Sequence, residues 1–216
     1  KVNAVVKLPK GYEMKWNGEF ENQQRAQNRL ALVVPISLIL IFFILFVSFG
    51  NALDSVLVLL NVPFALIGGI LALHIRQMNF SISAGVGFIA LFGLAVETGI
   101  VMVIYLNDAM QQLVAKKGNS KNTITKEDLR EYVIHGAAKR LRPKIMTVCV
   151  SLFALIPILW SSGVGSDVMK PIVLPMIGGV LTSATHILLV TPLIFLMTKE
   201  YELRKHGKLE VLDAKH

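Results

Sequence analysis

The sequence contains little charge for its length. Only 17% of its 216 residues are charged, whereas about a quarter are charged in an average soluble domain. Apolar residues make up 54% of the chain, and the mean hydropathy is +0.60. This composition excludes a soluble globular domain, a disordered tail and a module that binds nucleic acid.

Cysteine and catalytic motifs are also scarce. Cys149 is the only cysteine, so the chain can form no internal disulfide. It lies within an apolar run, where we expect a small buried apolar side chain. The sequence contains no Ser/His/Asp set, paired-cysteine motif, HExxH motif or phosphate-binding loop. We therefore predict that the chain is not an enzyme and has no resident cofactor.

Apolar residues cluster in five runs that carry almost no charge. Most of these runs approach or exceed the roughly 20 residues that a helix needs to cross a bilayer. Backbone within a bilayer must satisfy its own hydrogen bonds, so runs of this length form helices. We predict an all-α transmembrane helical bundle of five spans, at residues 30–49, 52–75, 80–106, 145–160 and 171–197.

Polar segments flank the spans. Residues 1–29 read as two short strands, near residues 2–6 and 12–16, followed by a lead-in helix. They are too few to bury a core, so we expect them to be the end piece of an α+β domain lying upstream. Residues 107–144 predict a loop with an amphipathic surface helix that begins after Thr125. Residues 198–216 form a polar tail, and Asp54 is expected to cap the second span.

The basic residues predict the orientation. Residues 107–144 contain nine Lys and Arg and the tail contains five, whereas the two opposite connections contain one each, Arg76 and Lys170. The basic sides are cytoplasmic by the positive-inside rule. With five spans, the C-terminus is then cytoplasmic and the N-terminal piece lies outside.

Glu97 is the most informative residue for function. It lies inside the third run, among glycines and alanines that allow close helix packing. A carboxylate that is ionised in hydrocarbon costs several kcal/mol, so such a residue normally faces a polar path. The alternative is a neutral carboxyl in a packed core. A carboxyl that holds and releases a proton within a membrane is suited to a proton relay.

Two further residues are candidates with competing interpretations. Lys144 stands at the start of the fourth span, either as an interfacial anchor or as a charge partner for Glu97. Met169 stands near the outer end of the fifth span, either as a packing residue or as a soft ligand for Cu(I) or Ag(I). His186 could titrate or bind a ligand, but we interpret it as a histidine that is hydrogen-bonded inside the bundle, and we assign it no role. Arg140 and Arg142 are interpreted as anchors.

Four strings carry a more specific resemblance. They are residues 85–102 (GVGFIALFGLAVETGIVM), 140–148 (RLRPKIMTV), 157–169 (PILWSSGVGSDVM) and 175–179 (PMIGG). Together they resemble the C-terminal end of the heavy-metal-efflux branch of RND transporters. The resemblance covers essentially the whole chain. It implies that the five spans correspond to the eighth to twelfth of a twelve-span pump, and that residues 1–29 end a periplasmic porter domain.

The resemblance also implies a function. Such pumps are homotrimers of the bacterial inner membrane that couple proton entry to metal export. They work with a periplasmic membrane-fusion adaptor and an outer-membrane channel. In the copper/silver exporters a carboxylate and a lysine form the proton relay, and a methionine lies on the thioether path. These positions match Glu97, Lys144 and Met169, whereas divalent-metal exporters tend to carry Asn, a non-lysine residue and Gln there.

The sequence therefore predicts part of a proton-driven exporter of Cu(I) or Ag(I). Two alternatives stay open. One is a divalent-cation exporter of the same family, for zinc, cobalt, cadmium or nickel. The other is a non-transporting membrane scaffold, in which Glu97 has only a structural role.

Overall fold

The computed structural model describes residues 19–118, 124–206 and 209. Within these residues the chain forms helices and contains no strand. The two short strands expected near residues 2–6 and 12–16 lie outside the described residues. The helices are α1 Glu19–Phe49, α2 Ala52–Leu59, α3 Asn61–Ile75, α4 Ile82–Lys117, α5 Lys126–Trp160, α6 Ser166–Thr185 and α7 Thr191–His206, with a π-helical turn, His186–Val190, between α6 and α7.

Five stretches of helix are long and apolar enough to cross a membrane. They are Gln24–Phe49, Ala52–Ile75, Ile82–Lys117, Lys126–Trp160 and Ser166–Lys205. Four of them contain a predicted apolar run, and Ile82–Lys117 contains all but the first two residues of the run at 80–106. The prediction of an all-α bundle with five apolar spans is therefore confirmed.

The turn between the first two spans is made by Gly50 and Asn51. Gly50 has φ +63°, a conformation that costs glycine little because it has no Cβ. The Asn51 side chain accepts a hydrogen bond from the Leu53 backbone N–H at 2.9 Å, and so caps α2. The prediction that Asp54 caps this helix is therefore wrong. Asp54 is buried and instead accepts a hydrogen bond from Asn107 of α4 at 2.9 Å.

The fourth span differs from its prediction. The sequence predicted a separate surface helix within residues 107–144 and a short span from residue 145. Instead α5 runs without a break for 35 residues through Pro143. Its start is the predicted one, because Thr125 and Asp128 form a reciprocal capping box.

The closest helix contact lies between α3 and α6. A methyl group at Gly68 would collide with the Thr182 side chain and the Gly178 carbonyl oxygen. The Thr182 hydroxyl donates a hydrogen bond across the contact to the Phe64 carbonyl oxygen at 3.0 Å. Small residues thus let two backbones touch, as is common where helices pack within a membrane. Helix α4 packs on the same pair, with Gly87 against the Ile172 carbonyl.

Helices α1 and α5 border the bundle and bury little of themselves. Of the 18 most apolar consecutive residues of each, only 6% are buried, compared with 44% for the span that contains α2 and α3. Apolar side chains such as Ile39 and Phe153 are exposed along them. Cys149 lies on α5 and is exposed, so the expectation that it is buried is wrong.

A candidate proton-relay cavity between α4 and α5

A cavity of about 200 Å³ lies between α4 and α5, next to the π-helical turn. Glu97 and Lys144 both line it, on facing helices. Glu97 is exposed at the cavity, and Lys144 is half-buried. The full lining is Glu97, Thr98, Val101, Met102, Arg140, Pro143, Lys144, Thr147 and Ile187.

The continuity of α5 explains how Lys144 reaches this depth. Lys144 lies eighteen residues after the helix begins at Lys126, which is about 27 Å along the axis at 1.5 Å per residue. Gly136 sets the approach of the two helices, because it has no side chain and lies against Tyr105 and Ala109 of α4. With the helices antiparallel, residue 144 then falls beside residue 98.

The Lys144 ammonium is held by a hydroxyl group of α4. Its Nζ donates a hydrogen bond to Thr98 Oγ1 at 2.7 Å. The Thr98 hydroxyl in turn donates to the Leu94 carbonyl oxygen at 2.7 Å. Lys144 also lies within electrostatic reach of Glu97. A second, smaller cavity of about 50 Å³ is lined by Glu97, Thr98, Lys144 and, from α6, Ser183.

Arg140 supplies a second positive charge at the cavity. Its guanidinium lies 4.1 Å from the centroid of the Tyr105 ring, a cation–π contact that fixes the side chain against α4. Its Nε atom is buried without a hydrogen-bond partner. The sequence interpretation took Arg140 for an interfacial anchor and did not single out Thr98. The helical spacing of residues 140, 144 and 147, which share one face, is the signal that could have identified Arg140.

Met169 lies apart from this cavity. It is in the first turn of α6 and is 53% exposed. Ser183, which lines the smaller cavity, comes fourteen residues later on the same helix, about 21 Å away along its axis. The structure thus brings Glu97 and Lys144 together and places Met169 near the start of the span Ser166–Lys205, away from the cavity.

His186 is buried at the start of the π-helical turn. Its ring stacks on Phe64 of α3 with the centroids 3.9 Å apart, and neither ring nitrogen has a hydrogen-bond partner. The expectation that His186 is hydrogen-bonded is therefore wrong, because the ring packs against an aromatic side chain instead. It does not line the cavity of Glu97 and Lys144. In the part of the chain that the structure describes, no group of three or more His, Cys, Asp or Glu residues could hold a metal ion.

These features define a class of protein. Five apolar helices that bring a carboxylate and an amine together form a polytopic membrane bundle with titratable groups inside it. Comparison with known families is consistent with this class, since residues 1–199 match the AcrB/AcrD/AcrF family. The chain belongs to this family.

Several proteins that are named for cation efflux or for metal resistance are similar to the chain. The putative cation efflux system protein SilA of Salmonella typhimurium is 40% identical over 96% of the chain. The cation efflux system protein CusA of Escherichia coli K12 is 41% identical over 87% of it. The cobalt-zinc-cadmium resistance protein CzcA of Cupriavidus metallidurans is 41% identical over 90%. The chain spans 19%, 18% and 17% of the lengths of these relatives, respectively.

A solved structure has the same fold. An X-ray structure of a heavy metal efflux pump superposes with a TM-score of 0.71 at 37% identity, covering 91% of this chain and 19% of that one. The resemblance to the heavy-metal-efflux branch of RND transporters is therefore confirmed.

Proposed function

We propose that this chain is the C-terminal membrane part of a proton-driven pump that exports heavy-metal cations and confers metal resistance. The proposal is supported by its relatives, which are named for cation efflux and for metal resistance. The observation that carries it is the cavity in which Glu97 and Lys144 meet within the apolar bundle. We further propose that the chain has no enzymatic activity and no resident cofactor. In this proposal protons and metal ions are the only species that the pump transports.

The chemistry of the relay follows from the charges in the cavity. When Glu97 is ionised, it balances one of the two positive charges of Lys144 and Arg140. When Glu97 takes up a proton, the attraction between its carboxylate on α4 and the Lys144 ammonium on α5 is lost, and such attraction is strong in a medium of low dielectric constant. Helices α4 and α5 then move relative to each other, and this movement drives metal export elsewhere in the pump.

Cu(I) or Ag(I) is our preferred cargo. Glu97, Lys144 and Met169 match the pattern of copper/silver exporters, and a thioether is a soft ligand suited to these ions. The second candidate is a divalent cation. The chain is equally identical to CzcA and to CusA, 41% in each case, so overall identity does not separate the two candidates. The two candidates predict different profiles of metal tolerance.

We also propose the setting in which the pump works. It is a homotrimer of the bacterial inner membrane, joined to a periplasmic membrane-fusion adaptor and an outer-membrane channel, and it binds no nucleic acid. The lipid bilayer surrounds its spans. The N-terminal piece lies in the periplasm and the C-terminus in the cytoplasm.

Replacing Glu97 by Gln in the full-length pump tests the proposal. We expect the variant to lose metal-dependent proton uptake in proteoliposomes and metal tolerance in an export-deficient bacterium, because the amide cannot bind and release the proton. Assembly into trimers should be unchanged. Glu127→Gln is the matched control, since this exposed carboxylate lies in the first turn of α5 and outside the cavity; it should export normally.

Two outcomes would contradict the proposal. Normal export by Glu97→Gln would exclude the relay. Lower stability of that variant, together with no metal flux in the unmodified protein, would favour the non-transporting membrane scaffold, in which the carboxyl only supports packing.

A further inference from the structure

Thr98 holds the Lys144 ammonium at the cavity by a hydrogen bond. Its hydroxyl accepts from Lys144 Nζ and donates to the Leu94 carbonyl, both at 2.7 Å. A hydroxyl has one proton and two lone pairs, so both bonds can form at once. The ammonium is thereby tied, through Thr98, to the backbone of α4.

Lys144 does not form a direct ion pair with Glu97, although both line the cavity and Glu97 precedes Thr98 in the sequence. Residues that follow each other on a helix point about 100° apart. The Lys144 ammonium, bound to Thr98, therefore lies to one side of the Glu97 carboxylate. The two groups still interact electrostatically.

We propose that Thr98 is a positioning residue that holds Lys144 away from Glu97, so that the carboxylate can accept a proton. The inference rests on the relay function proposed above and adds a residue to it. A direct ion pair in a medium of low dielectric constant strongly favours the ionised carboxylate and opposes its protonation. The neutral Thr98 hydroxyl accepts a hydrogen bond from the ammonium and so prevents the direct ion pair. The positive charge stays in the cavity.

The other groups around Glu97 do not replace Thr98 in this role. Arg140 is the second cation, and its guanidinium is held on the Tyr105 ring. Ser183 of α6 and Ile187 of the π-helical turn line the two cavities and are uncharged. Among the described residues at the cavity, Lys144 is thus the charge whose position depends on Thr98.

The test measures the protonation of Glu97 directly. The purified full-length pump is titrated by infrared spectroscopy, and the carboxyl band of Glu97 is identified by its loss in Glu97→Gln. In Thr98→Val, which keeps the shape but lacks the hydroxyl, Lys144 is free to pair with Glu97. We expect the pH of half-protonation to fall by about one unit or more, and the pH profile of proton uptake to shift in the same direction.

Three further variants make the test specific. Thr98→Ser keeps the hydroxyl and should titrate like the unmodified pump. Thr185→Val removes an exposed hydroxyl that only bonds back to the Leu181 carbonyl, and should also leave the titration unchanged. In a Lys144→Met background, Thr98→Val should cause no further shift, because there is no ammonium left to position.

An unchanged titration in Thr98→Val would overturn the inference, as would an equal shift with and without Lys144. These results are distinct from a failure of the proposed function. If the proposed function fails, Glu97→Gln exports normally, whatever the titration of the Thr98 variants shows.

Discussion

At the scale of single residues, Glu97 and Met169, proposed for the proton and for the metal, lie at different places in the structure. Glu97 lies at the cavity between α4 and α5, whereas Met169 is exposed in the first turn of α6. No cation could contact both groups at once across this separation. A relay at Glu97 would therefore have to act on a metal path near Met169 through movement of the helices.

The first prediction concerns the metal and belongs to the residue scale. Replacing Met169 by Leu in the full-length pump keeps a similar apolar volume and removes the thioether. We expect silver and copper tolerance to fall several-fold, because a soft ligand is lost from the metal path. The measurement is growth of an export-deficient bacterium under silver, copper, zinc and cobalt.

Met197→Leu is the matched control, since Met197 is an exposed methionine at the other end of the same span; it should keep full tolerance. Protection against zinc or cobalt that survives Met169→Leu would contradict the soft-metal assignment. The divalent-cation exporter would then be the better description.

At the scale of elements, the contact between α3 and α6 is the most demanding feature of the bundle. Gly68 and Gly178 lie directly against each other. A methyl group added to either glycine would collide with the backbone of the other helix. In the sequence each of these glycines is one of a pair, Gly68-Gly69 in α3 and Gly178-Gly179 in α6. That these two pairs meet each other follows only from the folded structure.

Gly178→Ala is therefore expected to destabilise the pump. The added methyl group meets the Gly68 carbonyl and the Ala72 side chain, neither of which can move without shifting a helix. Overpacking of this kind costs about 1–3 kcal/mol. Thermal unfolding of the purified full-length protein in detergent should show a lower midpoint.

Gly93→Ala is the control for this prediction. No atom lies within 4 Å of the position of its added methyl group, and alanine favours a helix over glycine by about 1 kcal/mol. Its midpoint should stay the same or rise. Equal midpoints for Gly178→Ala and the unmodified protein would contradict the close contact.

At the scale of the whole molecule, the proposed orientation rests on the distribution of charge. Nine Lys and Arg lie within residues 107–144, whereas the connections near Arg76 and Lys170 hold one basic residue each. Helices α4 and α5 are antiparallel, so the end of α4 and the start of α5 lie on one side of the bundle. The ion pair of Lys117 with Asp128, 2.7 Å apart, links these two helix ends.

Cysteine labelling tests this orientation. In a cysteine-free version of the full-length pump, we expect a membrane-impermeant maleimide to label Val164→Cys in intact cells, because Val164 is fully exposed between α5 and α6. Lys116→Cys, at the end of α4, should be labelled only after the inner membrane is made permeable. The opposite pattern would reverse the proposed orientation.

Much of this architecture could be predicted from local pattern. The five spans, the capping box at Thr125 and the importance of Glu97 depend on hydropathy, spacing and the cost of a charge in hydrocarbon. Each of these acts over a few turns of one helix. They are properties of the sequence itself, and so is the family resemblance.

The tertiary structure decided what depends on two helices at once. The continuity of α5 and the contact of Gly136 with α4 set the register that brings Lys144 to Thr98. The same register places Arg140 on Tyr105 at the cavity, and a separate contact with Asn107 gives Asp54 a partner in α4. The physical reason is that helix packing within a membrane depends on the close fit of small residues between helices. The pattern of residues along one helix does not show which residue of another helix it will contact. The partner of each side chain is therefore known only once the helices are packed together.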